Sequence, residues 1–345
     1  MKTLHPLLLG AALLLLPCSA GADTVSPAVA SQLLKAETAL KSQSYAAALA
    51  DVNRAATTAG LSAYDHQVIA ELRAAAAGGV GQYGLAAQSY AEALNGPDVP
   101  ADMRVALLQS ISGLYARAGD NAQTSAYVAK YIAAGGTDAT IRALATQADY
   151  NEGNYAAVGK DVKRDGATAS PAELELAVLA AQKLGDQQGS FEALQAVLRV
   201  APSAGYWSEA IALVQNQPGF PDTLTIDAYR LRQKTGTLTV AGDIEDYAER
   251  AILDGKPSEA KTALDAGFAN GVLNEQTDNG HAERLRTLAN DTRPPAAPLR
   301  AATPLEAAIT SGGGFAAVPG YAQGQLADPE AALARLFAIA DGATP

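Results

Sequence analysis

A chain of 345 residues with a formal net charge of −11 and 6% aromatic residues is longer than the ~100–200 residues of a usual single domain. Its acidic balance repels phosphate backbones, which argues against a nucleic-acid partner. Much of its 48% hydrophobic share is alanine, the best helix former and one that buries little area, so many closely packed helices are expected without a large aromatic core.

The first element in chain order is a secretory signal over residues 1–22. Lys2 supplies the positive start, and Leu7–Leu16 is an apolar run of ten residues, too short to span ~30 Å of hydrocarbon as a helix. Pro17 ends the run and Ala20-Gly21-Ala22 offers a small-residue cleavage site. Cleavage after Ala22 gives a mature chain that begins at Asp23, whose charge is −12 once Lys2 is lost from the −11 total. Cys18 raises the alternative of a lipoprotein anchor, but such signals want a small residue just before the cysteine, where this chain has Pro17. Simple export to the periplasm of a Gram-negative bacterium is therefore expected. Cys18 is the only cysteine, so the exported chain has neither disulfides nor thiolate metal sites. No later stretch reaches eighteen apolar residues, and no transmembrane segment is expected in the mature chain.

From residue 23 to 290 one punctuation mark recurs: a small or polar turn, an aromatic or small residue, then an apolar helix. It occurs at Gln43, Gly81, Gly119, Gly153, Gly185, Gly219 and Gly255, with spacings of 38, 38, 34, 32, 34 and 36. Self-similarity near this period marks helix–turn–helix repeats. Glycine closes a helix in the left-handed conformation, the next helix starts within about two residues, and so short a connection makes the two helices antiparallel neighbours. Between marks the apolar positions follow helical spacing: Val105, Leu108, Ile111, Leu114 and Tyr115 in 101–118, and Leu174, Ala177, Val178 and Ala181 in 171–184. Ser170-Pro171-Ala172-Glu173 places an N-cap, a first-position proline and an acid at one helix start.

The pattern resembles tetratricopeptide repeats, whose turn reads Gly-x-Tyr and whose second helix carries a small residue three positions after the aromatic. Ala48, Ala86, Ser190 and Ala260 match that small position, while Thr124, Val158 and Leu224 depart from it. The bulky residue four positions on is Val52, Tyr90, Val128, Val162, Leu194 or Leu264, with Ala228 the exception. Pro202 falls at the family's closing proline, Pro97 lies one residue early, and the first-helix aromatic is largely missing. The likeness covers roughly residues 27–271. It implies an all-α helical-repeat solenoid, a right-handed superhelix of antiparallel helix pairs. The stretch from Tyr206 to Leu273, through Tyr229-Arg230-Leu231-Arg232 and Ala260–Phe268, is similar to the C-terminal part of exported repeat proteins of proteobacteria, which implies an envelope setting and no activity.

Such a solenoid presents a groove built mainly from first helices. In the family register the groove-facing positions are Glu71, Gln109, Arg117, Gln147, Tyr150, Asn151, Glu175 and Gln182, a polar and partly aromatic set suited to a protein or peptide partner. Each is equally consistent with an ordinary solvated surface.

Constellations that carry chemistry are weak by comparison, and neither catalysis nor a cofactor or metal is expected. His66 and His281 lie in different repeats, and no metal-binding or nucleophile motif surrounds them. Gly78-Gly79-Val80-Gly81 lacks the Gly-Lys-Ser/Thr of a phosphate loop. Glu173 with Glu175, and Asp243 with Glu245, sit two apart on helices and so point to different sides, which reads as solvated surface. Two alternatives to an adaptor stay open. One is a murein-associated enzyme subunit using an acid such as Glu173 or Glu306. The other is a purely structural spacer of an envelope complex.

After a last helix expected over 274–290, the composition changes. Pro and Gly punctuate 291–327, which reads as a mobile linker. Residues 328–345 form a short helix and tail, with Leu333, Leu336, Phe337 and Ile339 on one side of the helix. That apolar side calls for a cover, either on the end of the last helix pair or on a partner.

Overall fold

The computed structural model describes residues 24–96, 99–274, 280–291 and 329–341. The signal peptide with Cys18, the expected linker from residue 292 to 327, and Glu306 lie outside these. Every regular element among the described residues is helical, and none is long and apolar enough to cross a membrane. The chain forms two compact units, divided between Ser170 and Pro171.

The first unit holds eight α-helices: α1 (Pro27–Lys41), α2 (Tyr45–Ala56), α3 (Ala63–Gly79), α4 (Tyr83–Leu94), α5 (Ala101–Ala118), α6 (Asn121–Ala133), α7 (Ala139–Asn151) and α8 (Tyr155–Asp165). Each packs on the next. In addition α1 packs on α3 and α5 on α7, while consecutive second helices make no comparable contact. First helices therefore form the inner row of this unit and second helices the outer one.

The turn chemistry is the one expected. Gly81, Gly119, Gly153, Gly185, Gly219 and Gly255 all have positive φ, and Gln43, at φ 56°, is the sole non-glycine in that region among the described residues. A side chain there carries a cost that glycine avoids. Gln43→Gly is expected to stabilise the first unit by about 0.5–1 kcal/mol, read as a raised urea midpoint. An unchanged or lowered midpoint would show that the Gln43 side chain makes up for the strain.

The repeat register also holds in the packing. Ala48, Ala86, Val158 and Ala260 are fully buried, and Thr124, Ser190 and Leu224 nearly so. Small residues here let second helices lie close to their partners. The bulky positions Val52, Val128, Leu194 and Leu264 are buried as well, as is the small exception Ala228, while Tyr90 and Val162 are half-buried. Side-chain caps fix several helix starts: Asp120 accepts from the Gln123 N–H at 3.1 Å, Asp138 from Thr140 at 2.8 Å and Asp186 from Gly189 at 2.8 Å. At α3, Ser62 and Asp65 form a reciprocal capping box. Burial pushes the Asp65 carboxyl up, but hydrogen bonds from the Ser26 and Ser62 N–H groups and the Ser62 hydroxyl prevail and hold it at about 2.

The second unit begins with α9 (Pro171–Leu184) and α10 (Gln187–Val200), continues with α11 (Ala204–Gln215) and α12 (Thr225–Lys234), then α13 (Ala241–Leu253), α14 (Pro257–Ala269) and α15 (His281–Asp291), and ends with α16 (Pro329–Ala340). Three expectations are corrected here. α15 starts at His281, after Gly280 at φ 72°, rather than at 274. The mark at Gly219 is not followed at once by a helix: a 3-10 turn at Asp222–Leu224 intervenes, because Pro221 disfavours helical backbone at Phe220 just before it. Freed from a tight turn, α11 and α12 pack on each other only thinly. Finally, Glu173 is 3% exposed, so the pair with exposed Glu175 is not a solvated face.

Thin packing of α11 on α12 leaves room that the end of the chain fills. α16 packs on α10, α11 and α12, away from the last helix pair where a terminal cap would sit. Leu333 and Leu336 are fully buried, and Ala332, Ala334 and Phe337 nearly so. At its end Asp341 forms an ion pair with Lys234 of α12.

Candidate functional site

The groove positions expected from the sequence all fall on first helices: Glu71 on α3, Gln109 and Arg117 on α5, Gln147, Tyr150 and Asn151 on α7, and Glu175 and Gln182 on α9. Glu71, Gln109 and Tyr150 are half-buried and the others exposed. The last two belong to the second unit and are described with it.

In the first unit these side chains stitch neighbouring helices together. Gln109 donates from Nε2 to the Asp138 carboxylate that caps α7, at 3.4 Å. Gln147 donates to Asn151 at 2.9 Å along α7, and Asn151 in turn to Asn121 at the start of α6, at 3.4 Å. The Tyr150 ring meets Tyr155 edge-on with centroids 5.5 Å apart. Gln147, Tyr150 and Asn151 thus form one cluster, with Gln109 one helix away. Arg117 lies 5.2 Å over the Tyr83 ring. Glu71 accepts from Gln67 at 3.2 Å, and burial raises its carboxyl above the ordinary range although that hydrogen bond opposes the shift. It belongs to a separate patch.

α7 and α8 also share a charged layer that sequence reasoning missed. Asp165, nearly buried, pairs with Arg164 at 2.8 Å and Arg142 at 3.5 Å, and Arg164 also holds Asp161 at 2.7 Å. Burial pushes Asp161 up to about 6. Arg164 opposes that shift, while Asp149 and Asp165 add to it. Asp149 also accepts from the Ser125 hydroxyl at 3.1 Å, which ties the layer to α6. In sequence these acids and arginines look like a solvated face, and only the packing of α8 on α7 brings them together.

In the second unit Gln182 donates to Glu209 of α11, and Glu175 accepts from the Tyr206 hydroxyl, whose pKa is pushed up to about 12 by burial and by that carboxylate. Both pairs run from one first helix to the next, as Gln109 does in the first unit. Chemistry of other kinds is sparse. Among the described residues no three His, Cys, Asp or Glu side chains converge to hold a metal. His66 is exposed, and His281 meets the exposed Glu249 at 2.9 Å. Such a surface can exchange hydrogen bonds with a polypeptide, because amides and carboxylates that satisfy one another across a helix seam can take polypeptide partners in their place.

No protein-family model matches the chain, and no curated protein does. Among solved structures, the complex of the TPR2AB domain of yeast Sti1 with pHSP90 matches with a TM-score of 0.42 at 16% identity, covering 76% of this chain and 98% of that one. The assignment of an all-α array of antiparallel helix pairs rests on the packing described above.

Proposed function

We propose that this chain is a non-catalytic protein-interaction scaffold or adaptor of the bacterial envelope, exported by its first 22 residues, which takes a partner peptide on the first-helix face. The observation that carries this reading is the cluster of Gln147, Tyr150 and Asn151, with Gln109 on the neighbouring first helix. It offers side-chain amides for a peptide backbone beside a half-buried aromatic ring. Tyrosine combines contact area with a polar tip, and such residues dominate binding energy at interfaces. Glu71 and Arg117 add to the same type of face within the first unit, and Glu175 and Gln182 carry the same kinds of side chain on a first helix of the second.

The test is quantitative capture by the mature protein from envelope extracts, read by mass spectrometry. Changing Tyr150 and Gln147 together to Ala is expected to reduce capture of the specific partners at least tenfold, as loss of a hot spot of ~2 kcal/mol or more implies, with helicity and thermal unfolding unchanged. Full capture by a folded double variant would remove the first-helix face as the binding surface.

A further inference from the structure

The docking of α16 concerns a different surface from the polar cluster on α7. We propose that the cleft bounded by α10, α11 and α12 is a receptor for an amphipathic helix. α16 is its resident occupant. A partner helix takes the same seat when it carries apolar residues at the spacing of Leu333, Leu336 and Phe337 and a carboxylate one turn further on.

Four observations lead there. First, the seat holds a helix with nearly its whole apolar surface covered: Leu333 and Leu336 are fully buried, Phe337 is 7% exposed, and the small Ala332 and Ala334 let the helix lie close. Second, the repeat it completes is incomplete without it. α11 and α12 pack thinly on one another across a long connection with a 3-10 turn, and α16 packs on both, while Trp207, Ile211 and Val214 on α11 and Leu231 on α12 are buried. Third, the rim sets polarity. Lys234 closes the seat and meets Asp341, four positions after Phe337, so an incoming helix ends on an acid at this rim. Fourth, occupation is separable from the rest of the fold. The 37 residues from 292 to 328 span up to ~120–130 Å when extended, enough for α16 to leave its seat while α15 stays in place. α16 has 12 residues, at or below the ~12–15 at which an isolated helix in water is marginal. Its helicity therefore depends on the seat, and release and melting are one event.

The resident helix acts on an outside ligand as a tethered competitor, lowering apparent affinity by the fraction of time the seat is taken. The experiment uses the mature full-length chain and a fluorescein-labelled peptide of residues 329–341 as the probe. In a chain carrying Leu333→Asp and Leu336→Asp the resident helix cannot seat. The peptide is expected to bind that chain at least tenfold more tightly than the unaltered one, and a peptide bearing the same two changes is expected to bind neither. Emission from Trp207, the single tryptophan, should redden in the altered chain and return when the peptide binds. Absence of peptide binding to an altered chain that keeps its helicity overturns the proposal. If the altered chain fails to fold, amide exchange in the unaltered chain decides. Exchange across α16 at least tenfold faster than across α10 and α11 supports a releasable occupant, and protection equal to that of α11 makes α16 a fixed core element and overturns it. A concentration-dependent dimer that disappears in the altered chain would assign the seat to α16 of a second copy, against a partner helix.

Discussion

Replacing Arg230 by Ala is expected to cost about 2–3 kcal/mol, less than the ~3–5 kcal/mol of a fully buried pair, because it removes the shared partner of buried Asp227 and of two half-buried carboxylates. The Arg230 side chain is 17% exposed and holds Asp227 at 2.7 Å, Glu259 at 2.9 Å and Asp254 at 3.4 Å. Asp227 is on its own helix α12, Asp254 in the turn before α14 and Glu259 on α14, so the guanidinium fastens two helices that have little else in common. Tyr247 adds a hydrogen bond from its hydroxyl to Glu259 at 3.1 Å, and burial together with that carboxylate raises the phenol above its ordinary range. Neighbouring Arg250 makes equally short contacts, 2.9 Å each to Asp222 and Asp246, but Asp222 is 81% exposed. Arg250→Ala should therefore cost less than about 1 kcal/mol. Urea unfolding of both variants, followed by circular dichroism, compares them directly. Equal losses would show that burial does not set the value of these pairs.

The second large effect is expected in the first unit. Ala86→Leu should destabilise by about 3 kcal/mol, the upper part of the range for overpacking a tight core. Ala86 is fully buried on α4 beside Ala77 and Ala87, and a Cβ added at Gly78 of α3 would lie 3.9 Å from the Ala86 Cβ. Nothing at this crossing can shrink: the facing residues are already alanine and glycine, so extra carbon must push the helices apart. The exposed neighbour Gln88 is the control, and Gln88→Leu should change stability by no more than about 0.5 kcal/mol. A wild-type urea midpoint for Ala86→Leu would mean that α3 and α4 can separate freely, against the packing described.

That crossing was legible in the sequence because it repeats. Ala48, Ala86, Ser190 and Ala260 occupy one position in four of the seven repeats, and a position that is small in most repeats leaves a periodic trace. The glycine turns are legible for the same reason, since positive φ admits few residue types. Features that occur once leave no such trace. Gly136 has an ordinary φ, yet an added Cβ would come within 2.2 Å of the Tyr131 ring; that side chain is buried, and its hydroxyl accepts the Asp138 N–H at 3.0 Å. In sequence it is one of two adjacent glycines. Glu173 reads as solvated in sequence because it and Glu175 sit two apart on a helix and point to different sides, whereas its burial depends on neighbouring elements. The apolar side of α16 was legible, but its seat was not, because periodicity describes near neighbours and says nothing of a contact made far along the chain. The groove residues were placed on first helices by register alone. The hydrogen bonds among them depend on rotamers and helix offsets that no register specifies.

The seating of α16 also bears on how the chain comes to be folded. Almost every other contact joins helices adjacent or next-but-one in order, a low contact order that favours rapid, piecewise formation as the polypeptide emerges. Lys234 and Asp341, however, are 107 positions apart. On a chain made at ~5–20 residues per second, the apolar faces of α11 and α12 stay open for several seconds after their own synthesis, until the last residues arrive. For that interval the middle of the second unit presents the type of surface that general chaperones bind. Truncation near the 3′ end of the coding sequence would prolong that exposure indefinitely while leaving the first unit to fold as before.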